Sequence, residues 1–350
     1  MVPNIAQPLL SWYEKNARIL PWRDDPAPYR VWISEIMLQQ TRVEAVTPYF
    51  ERFLKTLPNI RALSVVPDEQ LMKLWEGLGY YSRARNLKKA AQVLVQDFNG
   101  ELPSSFASLK TLPGIGPYTA GAIASIAFGK PVPAVDGNVL RVISRLTASP
   151  ENVSEAKVRQ AMGDRLIQIM PPERAGDFNQ ALMELGATVC LPNGMPKCEN
   201  CPLKSMCEGY LRGIAHTLPL KDAKKKRRIE QKTVFILISG GKAALLKRPA
   251  NGLLAGLFEL PNTDGILDFD AASCLLETWG IPALSLEPAG EAKHIFTHVE
   301  WHMNGYLVYT DSMPGRFLWR SLGEITHDCA LPSAFRTYTK ILCDALDPMV

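Results

Sequence analysis

Up to about residue 215 the apolar residues recur at three- and four-residue spacing, the period of amphipathic helices. EAVTPYFERFLKTL (44–57), SRARNLKKAAQVLVQDF (82–98), NVLRVISRLTA (138–148), EAKVRQAMGDRLIQIM (155–170) and DFNQALMELGATV (177–189) all keep that spacing. Pro58, Pro67, Gly100, Pro103, Pro113, Pro150, Pro171 and Pro172 punctuate the segments, and nothing in this half alternates as a strand would. After His216 the period changes. TVFILISGGKAALLKRP is a β-rich run, a Gly240-Gly241 turn and a second apolar run, which predicts a hairpin. HIFTHVEWHMNGYLVYT (294–310) alternates as one continuous strand, and PSAFRTYTKILCDAL (332–346) returns to a helical period.

This pattern predicts an all-α domain over 1–215, a basic linker over 216–231 and a smaller α+β domain over 232–350. A chain of 350 residues suits two cores, because single cores stop growing at roughly 250–300 residues. With 47% apolar and 21% charged residues the composition is that of a globular protein rather than a disordered or fibrous one. The N-terminus has no basic region ahead of an apolar core, and no run reaches the roughly 18 apolar residues of a membrane span. A cytoplasmic protein with no membrane association is expected. The net charge of +4 permits an anionic partner without demanding one. The five basic residues from Lys224 to Arg228 read most simply as a solvated linker; a nuclear address or a nucleic-acid contact would look the same.

Three stretches carry candidate chemistry. In LPGIGPYTAGAI (112–123), Gly114 and Gly116 allow a tight turn with exposed amides, and Thr119-Ala120-Gly121-Ala122 opens a helix whose amino end is partly positive. Such a turn holds a backbone phosphate, and it serves equally as a plain corner between two helices. In PAVDGNVLRVISRL, Asp136 precedes an amphipathic helix as a natural N-cap, with a second oxygen left to face a cleft. In PYRVWISEIMLQQT (28–41), Glu35 stands among Val31, Trp32, Ile33, Ile36, Met37 and Leu38. A carboxylate desolvated by such neighbours keeps its proton near neutral pH and suits general-acid work. From the pattern alone, a glutamate on the wet face of an apolar helix is the plainer reading.

Four of the seven cysteines, Cys190, Cys198, Cys201 and Cys207, form C-x7-C-x2-C-x5-C. In a chain without an export signal such clustering indicates metal ligation rather than disulfides. Zinc sites usually show two CxxC pairs or paired histidines; a single CxxC without histidine favours an iron–sulfur cluster.

The LPGIG hairpin followed by VDGNV resembles the helix-hairpin-helix DNA glycosylases, and the cysteines extend the likeness. Endonuclease III-like glycosylases carry a [4Fe–4S] cluster at the end of their helical domain, usually with six residues in the first gap where this chain has seven. The Pro/Gly-containing loop LPNGMPK absorbs the insertion. SEIMLQQT, LPWR, GLGYYSRARNL (77–87) and a distinctive C-terminal domain resemble the A/G-specific adenine glycosylases, the MutY type. The fold this implies is an all-α helix-hairpin-helix glycosylase domain with a [4Fe–4S] cluster, followed by an α+β Nudix-like domain. The resemblance makes Glu35 the acid that protonates N7 of an extruded adenine. Asp136 becomes the stabiliser of positive charge at C1′, with or without a transient covalent adduct, and Asn138 an aid to the site by hydrogen bonding. The chemistry parallels glycoside hydrolysis by two carboxylates. A base must leave the stack first. Gln40, Leu78 and Tyr80 match the positions that fill or wedge the duplex. Arg23, of LPWR, and Gly114 and Gly116 match DNA or substrate contacts, and Lys197 and Lys204 stand near the cluster for phosphates. The related glycosylase/lyases place their Schiff-base lysine where this chain has Tyr118. A phenol cannot form that imine, so a monofunctional enzyme is implied, with Tyr118 lining the pocket and bonding near Asp136.

RPANGLLAGLFELP (248–261) resembles the entry to a Nudix fold. Aligned on Gly280, SCLLETWGI replaces the magnesium-binding motif, and Ser273, Cys274 and Thr278 stand for its Arg and two of its acids, leaving Glu277. Recognition rather than pyrophosphate hydrolysis is therefore expected. By resemblance the Phe296-Thr297-His298 stretch reads 8-oxoguanine opposite the adenine, with threonine where the family has serine. His294, His298 and His302 would share one face of a strand, but steps of roughly 13 Å are too long to chelate one ion. The implied partner is duplex DNA with A:8-oxoguanine or A:G mispairs, bound by a monomer and, for a bacterial protein, at the nucleoid. The competing readings are an endonuclease III-like enzyme acting on oxidised pyrimidines and a non-catalytic mismatch-binding or electron-transfer protein.

Overall fold

The computed structural model of the chain describes residues 2–223 and 226–347, so Lys224 and Lys225 of the basic run lie outside the described residues. It divides into two compact units, Met1–Val66 with Arg85–Ala223, and Pro67–Ala84 with Lys224–Val350.

The first unit is helical. Each periodic segment is a helix: Val43–Thr56, Ser82–Asp97, Gly137–Leu146, Ala156–Ile167 and Ala175–Thr188. Ala6–Asn16, Gly137–Leu146 and Ala175–Thr188 meet along one apolar seam, where Leu9, Ile143, Phe178, Leu182 and Leu185 lose essentially all contact with solvent. Proline sets the start of two more helices, Pro28–Leu38 and Pro117–Ile126, at the position where its missing N–H costs nothing. The second of these follows the hairpin. Gly114 has φ +77°, and a Cβ there would come within 2.7 Å of the Asn86 Cβ, so both conformation and space require glycine. Gly186 serves a different need, because a Cβ would meet the Asn138 Cβ at 2.5 Å; its absence lets the Ala175–Thr188 helix press against the Asn138 backbone.

The second unit is built on a seven-stranded sheet, with strands β1 (Arg228–Ser239), β2 (Lys242–Lys247), β3 (Phe258–Glu259), β4 (Asn262–Asp264), β5 (Ser285–Ile295), β6 (Val299–Tyr309) and β7 (Leu318–Ser321). The order along the main path is β3-β2-β1-β6-β5, with β4 beside β1 and β7 beside β2. The expected hairpin joins β1 to β2 through Gly240 and Gly241, both at positive φ. β1 runs parallel to β6, from Arg228 opposite Val299 to Ile238 opposite Tyr309. Alternation along β1 gives each face its own core. Val234 and Ile236 pack with Trp301, Tyr338 and Leu342, while Phe235 and Leu237 pack with Leu276 and Val308. Helix Arg336–Leu346 therefore covers one face and helix Phe269–Thr278 the other. The helix Asp68–Trp75 belongs to this unit. Lys73 Nζ donates to the carbonyls of Ile325 (3.2 Å) and Cys329 (3.1 Å), and Glu76 accepts from the Leu331 amide at 2.7 Å.

One expectation is corrected. Residues 294–310 are not a continuous strand: β5 ends at Ile295, and the chain reverses at Thr297-His298 into antiparallel β6. The Phe296 amide donates to Val299 O at 2.8 Å across the turn, and the His298 carbonyl accepts from the Arg228 amide at 3.1 Å. Backbone bonds close this turn without Gly, Pro, Asn or Asp to announce it. His294 and His302 consequently lie on neighbouring strands, with Lys293 opposite His302 and His294 opposite Trp301. Among the described residues no helix is long and apolar enough to cross a membrane.

Candidate active site

The Pro28–Leu38 helix is apolar on nearly all sides, so whichever face Glu35 occupies is sheltered. Glu35 is only 5% exposed. Burial pushes its carboxyl up to about 7; the Tyr118 hydrogen bond opposes that rise, the Asp136 charge adds to it and the Arg23 charge opposes it. Tyr118, in the first turn of the Pro117–Ile126 helix, donates its hydroxyl to Glu35 Oε2 at 2.5 Å, and its oxygen lies 3.4 Å from the Met183 sulfur. Burial drives the phenol's own pKa well above its ordinary value, so it remains a donor. The hydroxyl thus bonds to Glu35, in the same cavity as Asp136, near which the resemblance placed its hydrogen bond.

Asp136 caps the Gly137–Leu146 helix. Its Oδ1 accepts from the Val139 amide at 2.8 Å, and its Oδ2 accepts from Asn138 Nδ2 at 2.7 Å. Burial raises its pKa, against the pull of those donors and of Arg141. Asn138 is itself fixed. Arg141 Nη2 donates to Asn138 Oδ1 at 2.8 Å and to Gly186 O at 2.9 Å, while Arg141 Nε donates to Cys190 O at 2.7 Å. One guanidinium therefore ties the amide that orients Asp136 to the beginning of the cysteine segment.

Glu35, Tyr118, Asp136, Asn138 and Arg23 line a single cavity of about 680 Å³. Gln180, Met183 and Glu184, which sequence reasoning missed, line it as well. Glu184 accepts from Arg18 Nε at 2.6 Å and from Arg23 Nη2 at 2.8 Å. Burial opposes its ionisation, but the two guanidiniums together hold its carboxyl below the usual range. The available signal was an acid at an apolar position of DFNQALMELGATV, in the same helix as the close-packing Gly186. Arg23 is held by Glu184, Gln180 and the Arg18 carbonyl and lies over the Tyr13 ring, which makes it a fixed wall of the cavity.

The cysteines follow directly. Cys190 Sγ lies 3.4 Å from Arg145 Nη1, and Cys207 Sγ 3.4 Å from Arg145 O. Burial pushes the Cys201 thiol up to about 12, with the charges of Cys190, Cys207 and Cys198 adding to the rise. The four thiols lie close enough to influence one another electrostatically, and as thiolates they would repel, a repulsion that a thiophilic metal group would relieve. Among the described residues no three His, Cys, Asp or Glu side chains are set as the ligands of a single ion.

None of the remaining expected contacts is among the residues that line this cavity. Gln40 and Tyr80 both have positive φ, +60° and +46°, a strained conformation for residues other than glycine. Tyr80 is 49% exposed, whereas Leu78 is buried at 6% and does not stand out as a wedge. Gly116 opens the Pro117–Ile126 helix, and among the described residues the Gly114 and Gly116 amides take no part in the backbone hydrogen bonds of the turn. In the second unit Thr297 Oγ1 lies 3.2 Å from the Tyr80 hydroxyl. Phe296 packs edge-on against Trp301, its carbonyl held by Arg227 Nε at 3.1 Å. His298 is exposed beside them. Glu277, the acid that remains of the Nudix motif, is exposed on the Phe269–Thr278 helix.

Known proteins align with both units. Residues 33–166 match the model of the HhH-GPD superfamily base excision DNA repair protein, and residues 233–340 match that of the NUDIX domain. The adenine DNA glycosylase of Mus musculus is 34% identical over 94% of this chain and 77% of its own length. That of Buchnera aphidicola subsp. Baizongia pistaciae is 38% identical over 85% of this chain and 84% of its own. Among solved structures, a thermostable thymine-DNA glycosylase aligns with TM-score 0.55 and 29% identity over 59% of this chain and 95% of that one. A non-covalent endonuclease III–DNA complex aligns with TM-score 0.53 and 25% identity over 61% and 98%. The chain belongs to the adenine DNA glycosylase family, a helical HhH-GPD unit joined to a Nudix-like one.

Proposed function

We propose that the protein is a monofunctional DNA N-glycosylase of base excision repair that excises adenine, and that its substrates are A:8-oxoguanine and A:G mispairs. The observation that carries this reading is Glu35, buried in a cavity with a carboxyl pushed up to about 7 and bonded to Tyr118 where a lyase would need a lysine. An extruded adenine in the cavity receives the Glu35 proton at N7. The C1′–N9 bond then breaks with its electron pair leaving on the base. Positive charge develops at C1′ near Asp136, whose oxygens are fixed by Val139 and Asn138. Water then bonds to C1′ and gives up a proton to the Glu35 carboxylate, which restores the acid. Without an amine nucleophile the strand stays intact.

The four cysteines, Cys190, Cys198, Cys201 and Cys207, are the proposed ligands of a [4Fe–4S] cluster. Bound there, the cluster would supply a cross-link that fixes the segment; Arg141 would carry the position of that segment to Asn138. For the lesion, the Phe296-Thr297-His298 turn is the proposed reader. Its support is the Thr297–Tyr80 contact, which sets a hydroxyl beside an exposed, strained aromatic. A monomer acting in the cytoplasm, at the nucleoid while on DNA, is the setting we infer.

The test is incubation of the holoprotein with duplexes containing A:8-oxoguanine, A:G and thymine glycol. Free adenine from the first two with the strand uncut is the expected result. Release from thymine glycol with a borohydride-trapped adduct would replace this reading with a lyase.

A further inference from the structure

A second cavity, of about 660 Å³, lies in the helical unit and nearly matches the catalytic cavity in size. Phe106, Pro131, Pro133, Val135 and Ile167 give it apolar surface, and Lys110, Arg159, Gln160 and Asp164 are its charged and amide groups. Two observations join it to the catalytic cavity. Tyr118 lines both. The loop that follows Pro131 divides them, because Val135 lines the second cavity and its neighbour Asp136 the first.

Once the C1′–N9 bond has broken, the catalytic cavity holds a free purine while the DNA still lies at the site. We infer that the second cavity binds this free adenine after cleavage, a purine site separated from the reacting atoms by Tyr118. The inference rests on the adenine-excising reading above. Size and chemistry support a purine. The volume exceeds what a planar bicycle needs, and Phe106 and the prolines offer flat apolar surface to its faces. Gln160 Nε2 donates to Asp164 Oδ1 at 3.0 Å across one turn of the Ala156–Ile167 helix, so an amide and a carboxylate stand together at the exposed rim of the cavity. A carboxamide is the side chain whose donor and acceptor match adenine N7 and N6, and the carboxylate adds an acceptor for the exocyclic amine. Neither residue touches Glu35, Tyr118 or Asp136 in the described hydrogen bonds.

The test uses the full-length holoprotein and 8-azidoadenine as a photoaffinity probe, with free adenine as competitor and peptide mapping as readout. Labelling of segments 106–110 or 159–167 is expected, with a loss of at least about fivefold in Gln160→Leu. Gly163→Leu, whose first added carbon makes only ordinary contacts with Pro133 (3.7 Å) and Val135 (3.8 Å), is expected to fill the cavity and remove the label. Single-turnover adenine release should be unchanged in Gln160→Leu while inhibition by added adenine weakens. Labelling confined to the catalytic cavity, no labelling, or labelling indifferent to Gln160→Leu overturns the inference. Adenine release by the same preparations reports separately on the underlying function: failure there with second-cavity labelling intact removes the reaction but leaves the purine site.

Discussion

Replacing Glu35 with glutamine keeps the shape of the side chain and an acceptor for Tyr118 while removing the ionisable group. In the folded protein burial raises this carboxyl from 4.5 to about 7. A tenfold change in a protonation equilibrium corresponds to about 1.4 kcal/mol, so keeping Glu35 ionised in the fold costs on the order of 3 kcal/mol. The sign follows from proton binding. Between pH 4.5 and about 7 the folded state holds a proton that the unfolded state has released, so stability falls as pH rises through that window. Glu35's contribution is fully present below the unfolded value and gone above the folded one. Glutamine has no such loss. The variant should match the parent near pH 4.5 and exceed it progressively up to about pH 8, where 3 kcal/mol corresponds to roughly 6–12 °C for a unit of this size. Calorimetry of parent and variant across that range, following the transition of the helical unit, measures the difference, and titrations elsewhere cancel. Adenine release should be abolished throughout. A difference in Tm that stays flat with pH, or shrinks as pH rises, would refute the reasoning that burial of Glu35 supplies the acid.

Tyr118→Phe removes the one hydrogen bond that lowers the Glu35 pKa, so the alkaline limb of the single-turnover pH–rate profile should move upward. At pH 6 the lost positioning should slow release by about tenfold; an unmoved limb would show that the phenol does not act on Glu35. Arg141→Ala leaves the Cys190 and Gly186 carbonyls and Asn138 Oδ1 without their donor, at a cost on the order of 3 kcal/mol. Calorimetry should register that loss, and bound iron per chain should fall with it. Tyr80→Phe removes only the hydroxyl beside Thr297. In a Glu35→Gln background, the ratio of dissociation constants for A:G and A:8-oxoguanine duplexes should shrink by about fivefold, and an unchanged ratio would separate Tyr80 from lesion reading.

The helical half could be read from its periodicity because its helices are local objects, fixed by spacing and by caps such as Asp136 that sit beside what they cap. The Gly240-Gly241 hairpin was equally plain, since positive φ demands glycine. The reversal at Thr297-His298 was not, because it is closed by backbone bonds and anchored by Arg227 and Arg228, about seventy residues earlier in the chain. The grouping of Pro67–Ala84 with the sheet unit was hidden for the same reason: the contacts of Lys73 and Glu76 are to residues 325–331. Glu35 and Asp136 could be nominated from their neighbours, but their shared cavity depends on helices distant in sequence. Glu184 escaped because an acid in an apolar stripe says nothing of the two arginines that neutralise it.

The environments of the two carboxylates also argue for a division of labour. Both are desolvated, which alone would make both of them acids. They differ in what opposes that effect. Glu35 has one hydrogen-bond partner that lowers its pKa, the Tyr118 hydroxyl, while the charges of Asp136 and Arg23 act on it in opposite directions. Asp136 has backbone and side-chain donors on both oxygens and the Arg141 charge behind them. Preorganised donors favour the charged form of Asp136 and so keep it available to a developing cation, whereas the drier Glu35 retains a proton to give. Exchanging the two side chains would defeat that division even with their spacing preserved, because the cap geometry around 136 would remain arranged for an anion and the apolar helix around 35 for an acid.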